Sequence, residues 1–265
     1  MHSERIDRYG GAGMDAISTT LDAVCLAARI ILESGGETYR AEETVERMCA
    51  GLGIEHVDAL ALPTGIMLTL SADGGTSLTR IVRVRSRNIN LKRLDDCNQV
   101  SRQVAHGEMS AAEALNRLRA IHASSLTRLP LITLAGALSS ASFAMMLGGG
   151  WIDFGIAFIC GALVQLVLPP LSRHRVPPLV SGLVLGFLTT LITLLGTLCF
   201  PGVTIDPIIG GAIMPMLPGL ATTNAIRDTI RGDLVSGGAR FTEAILTAVM
   251  IAAGICIMLS MWRGF

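Results

Sequence analysis

Charge is what this chain has least of, and the shortage is uneven. Of 265 residues, 21 are basic and 21 acidic, or 16%, against about 25% in an ordinary soluble domain. Residues 1–129 hold 15 of the basic and 16 of the acidic residues; residues 130–265 hold 6 and 5. The zero balance removes any electrostatic case for nucleic acid as partner. A chain that is 51% apolar is too hydrophobic for disorder. Cysteine pairing is absent too. Cys25, Cys49, Cys97, Cys160, Cys199 and Cys256 form no CxxC and keep no metal-ligand spacing with histidine, so they read as small apolar side chains rather than a disulfide or metal framework. GxSxG, HExxH, GxGxxG and GxxxxGK[ST] are all missing, and no two of the five histidines stand at i,i+4. No catalytic residue, metal or cofactor is therefore expected, and the chain is read as a non-enzyme. No cleavable signal is expected before residue 129, because residues 1–13 are polar and glycine-rich.

The second half consists of long uncharged runs: residues 129–152, 154–172, 176–205, 207–226 and 244–262. Each reaches the roughly 20 residues that cross a bilayer core of about 30 Å. Pro177, Pro178 and Pro201 trim the 30-residue run to 179–200. The expected architecture is an α+β cytoplasmic domain over residues 15–128, preceded by a tail at 1–14. An α-helical membrane domain with five transmembrane helices follows over 129–265. With the N-terminal domain inside, the inner loops hold Arg173, Arg175, Arg227, Arg231 and Arg240, while the outer ones hold no Lys or Arg and the outer C-terminus only Arg263. That is the positive-inside pattern, with Trp151 and Trp262 at outer helix ends.

In the first half, apolar residues at Ala16, Leu21, Val24, Ala28 and Ile31 predict a helix ending at Gly35-Gly36. Further helices are predicted over 38–50, 91–105 and 110–122, the last with Ser110 and Glu113 at capping-box spacing. Strands are predicted over 54–62, 64–72 and 77–87, with a hairpin turn at 73–76.

Three constellations here are candidates for a ligand or a gate. Glu33, Glu37, Tyr39, Arg40 and Glu43 surround the Gly35-Gly36 turn and suit a small zwitterion, although a capped helix start with surface ion pairs is the commoner reading. Arg83, Arg85 and Arg87 share one face of the predicted strand by alternation, either a solvated or headgroup-facing face or an antechamber for an anion. Pro63-Thr64-Gly65 is a turn before a strand, either a plain connection or a loop whose Thr64 faces a ligand.

The fourth apolar run is the most telling. Pro215, Pro218 and Gly219 fall in its middle, where two missing donors and a glycine predict a broken helix. Pro218 suits the first turn of a new half-helix, whose positive end attracts a carboxylate; a packing kink is the alternative, since Pro and Gly are frequent in membrane helices. Thr222, Thr223 and Asn224 supply donors in the next turn, and Asp228 follows. Gln165, Thr189, Thr190 and Thr193 are other polar groups in the membrane half. Gly182 and Gly186 at i,i+4 mark helix packing.

Taken together, these pieces resemble the threonine/serine exporter family. The resemblance rests on ESGGETYRAEE at residues 33–43, Pro63-Thr64-Gly65, TRIVRV at 79–84, Asn88 to Leu91, Asn98 to Gln103, MLPG at 216–219, and Asn224, Asp228, Gly232 and Asp233. It implies an inner-membrane exporter of small carboxylate metabolites, threonine and serine or a dicarboxylate such as succinate. Fused members of that family carry about ten membrane helices and this chain five. The resemblance is therefore to the larger subunit of the split form, which implies a second small membrane subunit of about five helices. A membrane-tethered hydrolase and a ligand-sensing scaffold remain as alternatives.

Overall fold

The computed structural model of the chain describes residues 3–54, 56–71, 77–124, 128–174 and 176–264, with side chains from residue 15 onward. The hairpin turn at 73–76 and Arg175 lie outside the described residues. The protein is mostly helical, with one small antiparallel sheet. It divides into two compact units, each discontinuous in sequence. One comprises residues 1–126 with 223–240, the other 127–222 with 241–265.

The first unit opens with α1 (Ser3–Glu33) and α2 (Thr38–Gly51). The helical pattern was legible from Ala16, and the helix begins earlier, at Ser3. Strands β1 (His56–Leu62), β2 (Gly65–Ser71) and β3 (Ser77–Arg83) form a sheet in the order β1-β2-β3. Ala61, Ile66, Leu68 and Leu70 turn inward onto Val24, Ala28, Ile31 and Val45 of the helices. Period-two alternation buries one sheet face and leaves Leu60, Met67 and Ile81 exposed on the other. Next come α3 (Leu91–Ala105), capped by Asn90, and α4 (Ala111–Ala123), whose Ser110–Glu113 capping box forms as expected. Burial pushes the thiols of Cys25 up to about 11 and of Cys49 and Cys97 up to about 12. These thiols stay protonated and act as core atoms.

One sequence expectation fails here. The third strand stops at Arg83, not at residue 87. Beyond it the backbone is claimed by α1, since Asn88 N–H donates to Glu33 O (2.8 Å) and Asn90 N–H to Ser34 O (3.1 Å). Strand alternation therefore does not carry Arg85 and Arg87 onto the face of Arg83.

The second unit is built on α5 (Leu129–Met146), α6 (Trp151–Arg173), α7 (Pro178–Cys199) and α8 (Ile205–Ile213), with the later part of α10 (Leu234–Arg263). Four helices, α5, α6, α7 and α10, are long and apolar enough to cross a membrane. A bent pair makes a fifth candidate: residues 205–216 with α9 (Gly219–Ile230), at 53° to each other. Small residues set the helix contacts. A Cβ at Gly186 would lie 2.5 Å from Ile251 O, and one at Gly254 2.1 Å from Leu183 O, so α7 and α10 touch backbone to backbone. Gly182 faces Ile251 as well, which is the packing role its spacing with Gly186 suggested.

The stretch 227–243, expected as a loop, is almost wholly helical. Only residues 231–233 separate α9 from α10. Arg240 and Glu243 end the apolar run but not the helix, because charge sets membrane depth and does not break backbone hydrogen bonding. Asp233 starts α10 instead, its Oδ1 accepting from Ser236 N–H at 3.1 Å.

Candidate functional site

Gly35 and Gly36 end α1 in a turn that only glycine permits. Gly35 has φ +85°, and a Cβ on Gly36 would lie 2.5 Å from the Ile31 side chain. The turn leaves two carbonyls pointing away from helical partners. Side chains from the end of the chain take both: Asn224 Nδ2 donates to Gly35 O and a terminal nitrogen of Arg240 to Gly36 O, each at 2.9 Å.

The residues after the turn are bound in the same way. Glu37, only 5% exposed, makes no capping bond at the start of α2. Its carboxylate pairs with Arg227 and, at 3.5 Å, with Arg40. Thr38 Oγ1 donates to Asp233 Oδ2 at 3.0 Å. The Arg231 guanidinium lies 3.6 Å from the centre of the Tyr39 ring, a cation–π contact. Behind these, Arg240 Nε stands 3.1 Å from Asp228 Oδ2, with both side chains buried. Glu42 reaches from α2 to take the Ala61 N–H of edge strand β1 at 2.7 Å. Burial raises the Glu42 carboxyl above the usual carboxylate range, and the nearby charges of Asp233 and Glu46 add to the effect.

This network joins two groups of residues that the sequence had offered separately. Glu37, Tyr39 and Arg40 join Asn224 and Asp228 in one cluster, with Glu37, Asn224 and Asp228 buried and Tyr39 and Arg40 half-buried. Glu43 stays outside it, exposed and paired with Arg47, and Glu33 instead holds Arg29 and His122. Arg227, Arg231, Asp233 and Arg240 were not singled out as site residues. Their signal was present as the one dense group of charges in an almost uncharged half, but it reads equally as loop topology.

The remaining candidates lie elsewhere. Thr64, Arg83 and Arg85 line, with Val84, a depression of about 500 Å³. Pro215, Pro218, Gly219, Thr222 and Gln165 belong to the second unit, and Thr223 to the first. The break is present: α8 ends at Ile213, a single 3-10 turn covers Met214–Met216, and α9 opens at Gly219. Pro218 lies just before the new helix rather than inside its first turn, its carbonyl accepting from Thr222 N–H at 3.0 Å. Proline's lost donor costs nothing at that position. Pro215, Leu217 and Gly219 are exposed at the break.

Gln165 is half-buried against Gly136. Thr189, Thr190 and Thr193 are fully buried, and each returns its hydroxyl to the carbonyl four residues earlier. They therefore pack helices and offer no donor to a pathway. Asp153, not foreseen as important, is buried and accepts from Gly150 N–H (2.8 Å), Thr204 N–H (3.0 Å) and the Thr204 hydroxyl. It ties the α5–α6 connection to the α7–α8 connection.

Residues 22–262 match the threonine/serine exporter family, ThrE. The chain belongs to that family. It is 25% identical to the succinate transporter subunit YjjP of Klebsiella aerogenes over 89% of this chain and 91% of that protein. The corresponding protein of Escherichia coli K12 is also 25% identical, over 88% and 90%. The threonine/serine exporter of Corynebacterium glutamicum is 27% identical over 87% of this chain but only 49% of its own length. No solved structure matches. Family membership and the set of apolar helices make this a multi-pass membrane protein of a transporter family.

Proposed function

We propose that this chain is the larger subunit of a two-subunit secondary exporter in the bacterial inner membrane, moving small carboxylate metabolites outward. The first unit faces the cytoplasm and the C-terminus the periplasm. The orientation follows from the arginines of the 227–240 segment, which belong to the first unit and lie on the side that the positive-inside rule assigns to the cytoplasm. Transport is driven by an ion or substrate gradient, since the sequence has no nucleotide-binding motif.

The broken α8–α9 pair carries the reading. Backbone freed at membrane depth must line a water-filled cavity or be covered by protein, and Pro215, Leu217 and Gly219 at the break are exposed in this chain. A substrate carboxylate sits at the opening of α9, near Pro218 and Gly219; Thr222 in the next turn donates its hydroxyl to Pro218 O (2.9 Å) and must release it to reach the substrate. The same helix carries Asn224 and Arg227, which hold the Gly35 carbonyl of the Gly35-Gly36 turn and Glu37, and Asp228, which pairs with Arg240. A helix with its start at the break and its last turns on that turn is suited to gating.

The second subunit is a membrane protein of about five helices. The YjjP relatives are named as subunits, and the fused Corynebacterium relative is about twice the length that this chain covers. The experiment is efflux of a substrate panel from cells making this chain with and without the small membrane protein. Export is expected only with both, and joint Pro218→Ala and Gly219→Ala substitution is expected to abolish it while leaving membrane insertion intact. Normal export by that double variant would overturn the half-helix site.

A further inference from the structure

We propose that the depression at the β1–β2 turn is a binding site for a small dicarboxylate, and that it selects a dianion over a zwitterionic amino acid. The proposal rests on the exporter reading for its role in transport but not for binding itself.

The site is built by the sheet register. Pro63 and Thr64 form a two-residue turn closed by the pairing of Leu62 with Gly65, and Gly65 pairs in turn with Arg83. Two contacts hold this end tightly. Val84 N–H donates to Thr64 O at 2.9 Å, and a Cβ on Gly65 would lie 2.7 Å from Val82 O. Thr64 is thereby fixed beside the chain segment that carries both arginines. Val84 turns into the core, while Arg83 and Arg85 remain exposed on either side of it.

The charge around the site is unbalanced. Among the described residues, Arg83 and Arg85 make no salt bridge, in contrast to Arg29, Arg40, Arg47, Arg80, Arg227 and Arg240, each of which faces a carboxylate. Among the described residues the lining is Thr64, Arg83, Val84 and Arg85, which supply two guanidinium groups and a hydroxyl and no acid. A carboxylate gains charge-assisted hydrogen bonds from each guanidinium. An ammonium group finds no acceptor of opposite charge there. Arg83 and Arg85 line the same depression, so two flexible side chains can each meet one end of a small diacid. An amino acid brings one carboxylate and a repelled cation, and so gains little.

The test is equilibrium binding of succinate, L-threonine and inorganic phosphate to the full-length protein in nanodiscs of neutral lipid, repeated with anionic lipid. Succinate is expected to bind, more weakly as salt rises, and at least about tenfold more tightly than threonine. Joint Arg83→Gln and Arg85→Gln is expected to weaken succinate at least about tenfold, whereas Arg83→Lys with Arg85→Lys retains part of it. Unchanged thermal midpoints show that the variants fold; if the Gln pair does not fold, Thr64→Val with the Lys pair carries the test, and full-strength succinate binding by it would overturn the site. Equal affinity for threonine and succinate overturns the selectivity. Phosphate binding as tightly as succinate, or loss of succinate binding in anionic nanodiscs, reassigns the arginines to phosphate and lipid headgroups and overturns the proposal.

In cells with the partner subunit, the Gln pair is expected to raise the half-saturating succinate concentration for export with the maximal rate retained. Succinate binding without export of any substrate would sink the exporter reading and leave the site standing. Export that is indifferent to the Gln pair, with binding unchanged, would do the reverse.

Discussion

The most exacting residue pair is Asp228 with Arg240, 1% and 4% exposed. A buried charge left without its partner costs about 3–5 kcal/mol, whereas replacing both by apolar groups of similar volume is often neutral or better. Arg240→Met is therefore expected to destabilise the protein by about 3–5 kcal/mol in detergent unfolding, with Asp228→Leu added in the same chain recovering the part due to the unpaired charge but not the lost hydrogen bond to Gly36 O. Glu42 gives a test in pH. Its folded carboxyl is raised by burial, so the folded state holds the proton more tightly than the unfolded one. Stability is then highest below the unfolded value of about 4.3 and falls as pH rises through the folded value. Glu42→Gln keeps an acceptor for Ala61 N–H. It is expected to raise the thermal midpoint at pH 7 and leave it nearly unchanged at pH 4; a rise of equal size at both would refute this origin. At this scale the sequence was half legible. The motif around Gly35-Gly36 could be found from its residues, but its partners lie 189 to 204 positions away, and no local spacing reports a contact at that distance.

Elements were easier to read than their ends. The capping box at Ser110, the three strands and the apolar runs all correspond to observed elements, because period, turn residues and length are local properties. Failures came where another element claimed the backbone, as α1 does for Asn88 and Asn90, or where hydropathy stood in for helix length, as in α10. The small-residue contact between α7 and α10 is the element-level feature easiest to perturb. Gly254→Val places a branched side chain where even a Cβ would be 2.1 Å from Leu183 O. A cost of about 1–3 kcal/mol is expected for such overpacking, read as a lower detergent-unfolding midpoint. Gly155→Ala in α6, where a Cβ meets nothing within 4 Å, is expected to be neutral or slightly stabilising.

Over the whole molecule, the change in charge density near residue 129 marks where membrane sequence begins, and the structure adds that the first unit does not end there. Residues 223–240 complete it. Without them Glu37, the Gly35 and Gly36 carbonyls and the Tyr39 ring lose the partners described above. A fragment of residues 1–128 is therefore expected to unfold at a lower temperature than the same region in the full chain, and adding a peptide of residues 223–240 is expected to raise its midpoint. Proteolysis of the two at rising temperature would measure the difference. The arrangement also imposes an order on biosynthesis. The ribosome releases the first unit's helices and sheet early, but their closing segment emerges only after α5, α6, α7 and α8 have been made. Through that interval, at roughly 5–20 residues per second, the nascent unit lacks residues 223–240, so its closing contacts form only after the four preceding helices have been made.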